Sequence, residues 1–228
     1  MRRAALLLLL LLGNAPVTPA GAVSGTVVVV HEGKRVPVEG NYVHVYLRPA
    51  KLPPKAPGIG QTFDVIQKDK QFDPHVIVVP KGATVRFPNK DTGETHNVFW
   101  SDEPHKDLGR RTATDPVQTY EFDDAQEFSV YCDIHQQMWA KILVVDSTYI
   151  AKVDKDGHYT IPNVAPGTYQ VVVWAPSSTP VVSEKLTVTD GQTSIAKELH
   201  LQLTPLKCQH NRKDGSPYPP YAGQKSPC

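Results

Sequence analysis

Apolar and polar positions along this chain alternate in short runs, separated by segments rich in Pro and Gly. The run Val23-Ser24-Gly25-Thr26-Val27-Val28-Val29-Val30 predicts a strand, and His31-Glu32-Gly33-Lys34 predicts the turn after it. Residues 42–47 alternate again, whereas residues 51–60, with Pro53, Pro54 and Pro57, form a linker that regular structure cannot accommodate. Further on, Phe128, Val130 and Cys132 share one parity while Glu127, Ser129 and Tyr131 share the other. That pattern predicts a strand whose buried face ends at Cys132. Residues 140–145, apolar apart from Lys141, predict the returning strand. Residues 151–161 predict a hairpin about Asp156-Gly157, a favoured two-residue turn. Buried strands are expected within 164–174, 181–189 and 194–203. Long helical patterns are few, so the expected class is all-β.

The N-terminus departs from this pattern. Arg2 and Arg3 precede a short apolar run, Ala4 to Leu12, and Ala20-Gly21-Ala22 is a small-residue cleavage site, so residues 1–22 read as a signal peptide. The run is too short to span a bilayer, and no transmembrane segment is expected. Of 24 Lys and Arg, removing Arg2 and Arg3 leaves 22 against 23 Asp and Glu, a net charge of −1. A near-neutral balance argues against nucleic acid as a partner. A periplasmic or secreted location fits the cysteines. Of the three, Cys132 has chemistry around it, and Cys208 and Cys228 are expected to pair and close the Pro-rich tail 204–228.

The chemistry concentrates in Tyr131-Cys132-Asp133-Ile134-His135-Gln136-Gln137-Met138-Trp139, which spaces a thiol, an imidazole and a thioether as Cys-x-x-His-x-x-Met on a short loop between two strands. His96 is the best candidate for a fourth donor. Two imidazoles, one thiolate and a weak axial Met are the donor set of blue-copper centres. Zinc has little use for a Met, and haem attachment requires a second Cys that this loop lacks. Each residue alone reads as an ordinary core filler; together, in this order and spacing, they indicate one type 1 copper held by His96, Cys132, His135 and Met138. His75 is a weaker alternative ligand, His105 and His158 are rival imidazoles, and His31 and His44 read as solvated strand or turn positions.

This block resembles the cupredoxins, its tight ligand loop being most like that of amicyanin. Residues 72–87 resemble the second and third strands of that family, and His96-Asn97 resembles its first imidazole ligand followed by a loop-tying Asn. The resemblance covers about residues 61–146. It implies that backbone N–H groups near Asn97 donate to the Cys132 sulfur, and that His135 presents a ring edge through which electrons pass, ringed by Ile134 and Trp139, whereas Trp100 reads rather as core packing. The residue after the loop His is Gln136, where relatives often carry Pro. Asp156-Gly157-x-Tyr159 and Asn163-Val164-x-Pro166-Gly167-x-Tyr169 resemble the carboxypeptidase regulatory-like domain, a small β-sandwich. The opening strands of that family find counterparts near Gly25-Thr26-Val27 and within residues 37–43.

The expected architecture is therefore a cupredoxin-type Greek-key β-sandwich at 61–146. It is inserted into a regulatory-like sandwich formed by 23–50 and 147–203, the alternative being two domains in tandem. The expected function is one-electron transfer, without enzymatic activity, to or from a redox protein such as a c-type cytochrome or a dehydrogenase. Two alternatives remain: copper storage or delivery, and a cell-envelope or carbohydrate-binding module presenting Tyr159, Tyr169 and Trp174. Hydrolase and phosphate-binding motifs are absent from the sequence.

Overall fold

The computed structural model describes residues 20–38, 40, 42–176, 178–206 and 209–219. Most of the predicted signal peptide and the predicted Cys208–Cys228 bridge lie outside the described residues. Nineteen strands and no α-helix occur among them. Three strands come first: β1 (Gly21–His31), β2 (Lys34–Val36) and β3 (His44–Pro49). The middle of the chain supplies β4 (Thr62–Asp64), β5 (Ile66–Lys68), β6 (Gln71–Asp73), β7 (Val76–Pro80), β8 (Ala83–Phe87), β9 (His96–Trp100), β10 (Lys106–Arg111), β11 (Gln118–Phe122), β12 (Glu127–Tyr131) and β13 (Trp139–Val145). Last come β14 (Ile150–Lys152), β15 (His158–Val164), β16 (Gly167–Trp174), β17 (Val181–Val188), β18 (Thr193–Ile195) and β19 (Leu199–Leu203).

β1 is long enough to serve two sets of neighbours. Its first half pairs antiparallel with β15 and parallel with β18, and its second half pairs parallel with β19 and antiparallel with β2. The opposing sheet runs β14-β3-β16-β17. Strands before residue 50 thus hydrogen-bond to strands after residue 149, and none of the partners of β1 or β3 lies within 61–146. Between these two sheets lies a core of Val27, Val45, Leu47, Ile161, Val171 and Leu201 with their neighbours. Tyr159 fits there only because residue 25 is Gly: a Cβ on Gly25 would lie 2.4 Å from the Tyr159 hydroxyl oxygen. β1 begins at Gly21, two residues ahead of the expected mature start.

Two of the sequence expectations fail in this part. The Asp156-Gly157 turn does not close a hairpin, because β14 pairs with β3 and β15 with β1. The turn carries the chain from one sheet to the other, with Gly157 at φ 89° and its carbonyl accepting from the Val27 N–H at 2.8 Å. Alternation identifies a buried face but not the sheet to which it belongs. His44, expected to be solvated, is buried; its Nδ1 lies 2.8 Å from the Tyr42 carbonyl oxygen and its ring lies 6.3 Å from that of Trp174.

The middle segment forms its own sandwich. One sheet runs β10-β9-β12-β13-β7, the other β11-β8-β4, and β5-β6 form a small hairpin beside them. Phe72, Phe87, Trp100, Phe122 and Phe128 fill the space between, with Cys132 and Met138 in the same core. β13 carries Lys141 among its apolar residues: its other positions are buried or half-buried, and Lys141 Nζ donates to Ser129 Oγ at 2.7 Å. Ala140, Ile142 and Val144 face that core, while Trp139 and Val145 face Val76, Val78 and Trp174 in a seam between the two sandwiches. Where the chain leaves the outer sandwich and returns to it, the two segments are adjacent: the Leu47 N–H donates to the Tyr149 carbonyl at 3.0 Å.

Candidate metal centre

β9 lies between β10 and β12, and all five of its residues are buried. His96 opens it. Cys132 follows directly after β12, and the Tyr131↔Phe99 register sets the two segments side by side. The ligand loop is then closed from within: the Met138 N–H donates to the His135 carbonyl at 3.0 Å, and the Cys132 N–H to the Met138 carbonyl at 3.3 Å. This turn brings His135 beside Cys132 and buries Met138 completely in the same core.

The result is a compact donor cluster. One donor atom each from His96, Cys132 and His135 lies within 4.8 Å of the others, and all three residues are buried. Nδ1 of His96 and Nδ1 of His135 are 3.1 Å apart, and Cys132 Sγ is 3.8 Å from His135 Nδ1. A metal about 2.0–2.1 Å from each nitrogen and about 2.3 Å from the sulfur spans donor pairs of this separation, so the residues fit a soft trigonal site. Asn97 does the expected tying. Its backbone N–H donates to Cys132 Sγ at 3.4 Å, as does that of Ile134 at 3.4 Å. Its side chain accepts from the Asp133 N–H at 3.2 Å and donates to Asp107 at 2.8 Å and to the Gly109 carbonyl at 3.0 Å.

Electrostatics prepare the imidazoles for a metal. Nε2 of His96 lies 2.7 Å from Asp91 Oδ2; the carboxylate accepts, so Nε2 carries the proton and Nδ1 keeps its lone pair. Asp91 is itself held by the Asp69 and Lys70 N–H groups at 2.7 and 3.0 Å, both from residues at φ 55°. Burial pushes the Asp91 carboxyl up, yet the Lys70 N–H, the His96 ring and the Asp69 N–H together hold it below the usual range. His135 is pushed down, first by burial and then by the neighbouring His96 ring and the Lys70 charge, which favours its neutral form. Its Nε2 faces Glu94 at 3.8 Å, and Glu94 is paired with Lys70 at 2.8 Å. Burial raises the Cys132 thiol, opposed by the backbone N–H groups of Asn97, Ile134 and His135.

Residues 139–203 match the sequence model of the carboxypeptidase regulatory-like domain. The match takes in β13 as well as β14 to β19, and leaves out β1, which pairs with β15, β18 and β19, and β3, which pairs with β14 and β16. Several solved structures match part of this chain. A copper-containing nitrite reductase from Thermus scotoductus is 20% identical over 43% of this chain and 28% of its own, with a TM-score of 0.35. This chain thus spans little more than a quarter of that enzyme. Amicyanin from Paracoccus versutus is 18% identical over 44% of this chain and 98% of its own, with a TM-score of 0.34. A purple cupredoxin from Nitrosopumilus maritimus is 19% identical over 37% and 99%, with a TM-score of 0.30. No curated protein matches.

The rival imidazoles stand apart from the cluster. His105 is exposed, 3.0 Å from Glu103, and His158 is exposed on β15. His75 stacks on Trp139 at 4.6 Å, with its Nδ1 3.0 Å from the Trp139 carbonyl oxygen. Trp139 therefore lies in the seam and not around the edge of His135, because it has the opposite parity on β13 to the core-facing residues. Trp100 is likewise a core residue, its indole N–H donating to the Pro104 carbonyl at 2.9 Å. Asp91 and Glu94, behind the two imidazoles, went unread in the sequence. The only trace of Asp91 was an acidic turn residue five positions before His96.

Proposed function

We propose that this chain is a periplasmic or secreted type 1 copper protein that carries single electrons between redox proteins. The observation that carries the proposal is the buried convergence of His96, Cys132 and His135 with two N–H groups aimed at the sulfur. His96 and His135 would hold the metal through Nδ1, Cys132 through its thiolate, and Met138 as the weak axial donor. When bound, copper supplies the one-electron couple. The protein's part is to hold four donors of mixed preference in one rigid arrangement, which suits neither oxidation state fully and keeps rearrangement small. Asn97 and Ile134 offset negative charge on the sulfur through their N–H donors. His135, with 10% of its side chain exposed beside the Lys70–Glu94 pair, is the donor closest to solvent and the edge from which an electron would leave.

We read a carrier rather than an enzyme because protein side chains fill the donor set. A c-type cytochrome or a dehydrogenase is the class of partner by analogy. Storage or delivery would favour donors that exchange metal easily, whereas these are buried. The carbohydrate-platform reading loses its surface, since Tyr159, Tyr169 and Trp174 are all buried.

The test is a titration of the purified chain with Cu(II), followed in the visible and by EPR. An intense thiolate-to-copper band is expected. His96→Ala should abolish it and His105→Ala should leave it intact. Tight Cu(II) binding without that band would overturn the assignment.

A further inference from the structure

The C-terminal segment 209–219 docks onto the residues on either side of Cys132. The ring of His210 stacks on Tyr131 at 4.0 Å and 17°. Tyr218 lies 3.0 Å from His210 Nε2 through its hydroxyl, which also donates to the carbonyl oxygen of Cys132 itself. On the other side, the backbone N–H of Lys213 donates to Asp133 Oδ1 at 3.1 Å and Arg212 Nε to the Asp133 carbonyl at 3.3 Å. Arg110 Nη2 takes Asp133 Oδ2 at 3.1 Å. The Asp133 side chain is only 2% exposed, so these partners take the place of water around its oxygens. Lys213 Nζ also reaches Asp107, the carboxylate that receives the Asn97 side chain.

We infer that segment 209–219 is a clasp for the metal loop, with Arg212, Lys213 and Tyr218 as positioning residues that fix the peptide carrying the Cys132 thiolate. The inference rests on the copper reading. Its physical basis is the route by which the sulfur is oriented. The N–H donors to Sγ from Asn97 and Ile134 belong to segments tied to Asp133: Asn97 through its side chain and Ile134 by direct bonding along the chain. Asp133 and the Cys132 carbonyl are in turn held by residues 79 to 86 positions away in sequence. Loosening the clasp therefore frees the peptide whose N–H groups face the thiolate, without touching any donor. Tail and loop are one mechanical unit.

The experiment compares the full chain with Tyr218→Phe, Arg212→Ala and the double variant, using Lys197→Ala, which breaks a surface pair with Glu184, as control. Tyr218→Phe keeps the ring and removes only the hydroxyl. In metal-free protein, the amides of Asn97 and Ile134 should exchange with solvent about tenfold faster in the double variant, the equivalent of one lost hydrogen bond. After loading with Cu(II) alone, the thiolate band should shift and copper should pass to a chelator about tenfold faster. Amide exchange within twofold of the parent overturns the clasp. Faster exchange with an unmoved band and unchanged copper loss would leave only a structural brace and overturn the positioning role. If the parent takes up no Cu(II), the copper reading falls by itself, because exchange in the metal-free chain still decides whether the tail restrains the loop.

Discussion

Asp91 shows how a single side chain outside the donor set governs it. By accepting from Nε2 of His96 it selects the tautomer that leaves Nδ1 free, and it holds the ring in place. Asp91→Asn removes the charge but keeps the shape, and it should weaken copper binding about ten- to a hundredfold in a chelator competition. The convergence of Cys132 and His135 was legible in the sequence because their spacing within one loop is itself the signal. Asp91 was not, since a carboxylate in a Gly-containing turn is ordinary until the fold sets it behind an imidazole. The contacts of Tyr218 with Cys132 span 86 positions, a separation at which no local pattern carries information.

Among the elements, β15 offers the clearest case of a pattern read correctly with its context missed. Tyr159 and Ile161 point into the core as alternation predicts, yet the turn before them changes sheets instead of closing a hairpin. The Tyr159 hydroxyl is buried with no hydrogen-bond partner among the described residues. Burial pushes its phenol up to about 12. An unfolded tyrosine titrates near 10, so the folded state keeps its proton where the unfolded state has lost it. The resulting stability is complete below about pH 10 and is lost as pH rises through 12, at about 1.4 kcal/mol per pH unit for this group. Tyr159→Phe should match or exceed the parent in urea unfolding at neutral pH, because an unpaired buried hydroxyl is removed. It should also lose less stability than the parent between pH 10 and 12. Tyr169 is also raised to about 12, so part of the alkaline loss should survive in the variant.

At the scale of the whole molecule, the seam joins what the sequence presents as separate blocks. Trp139 and Val145 from one sandwich and Trp174 from the other share a buried cluster with Val76 and Val78. Trp174→Ala should cost about 3–5 kcal/mol, as large-to-small core changes do. Because Trp139 follows Met138 directly, the variant's visible colour should also fade at a lower temperature than the parent's, which absorbance and calorimetry on one sample would check. Residues 140–145 predict a strand, but nothing local says which partner covers its second face.

The ladder contact between Leu47 and Tyr149 also sets a schedule. As the chain emerges N-terminus first, every strand from β4 to β13 is present before the first partner of β3 appears, and β1 waits for β15, β18 and β19. At ordinary synthesis speeds that wait is on the order of ten seconds. The middle sandwich can therefore mature while β1 and β3 still trail unpaired edges. The clasp, emerging after all of these strands, reaches a loop whose flanking strands are already present.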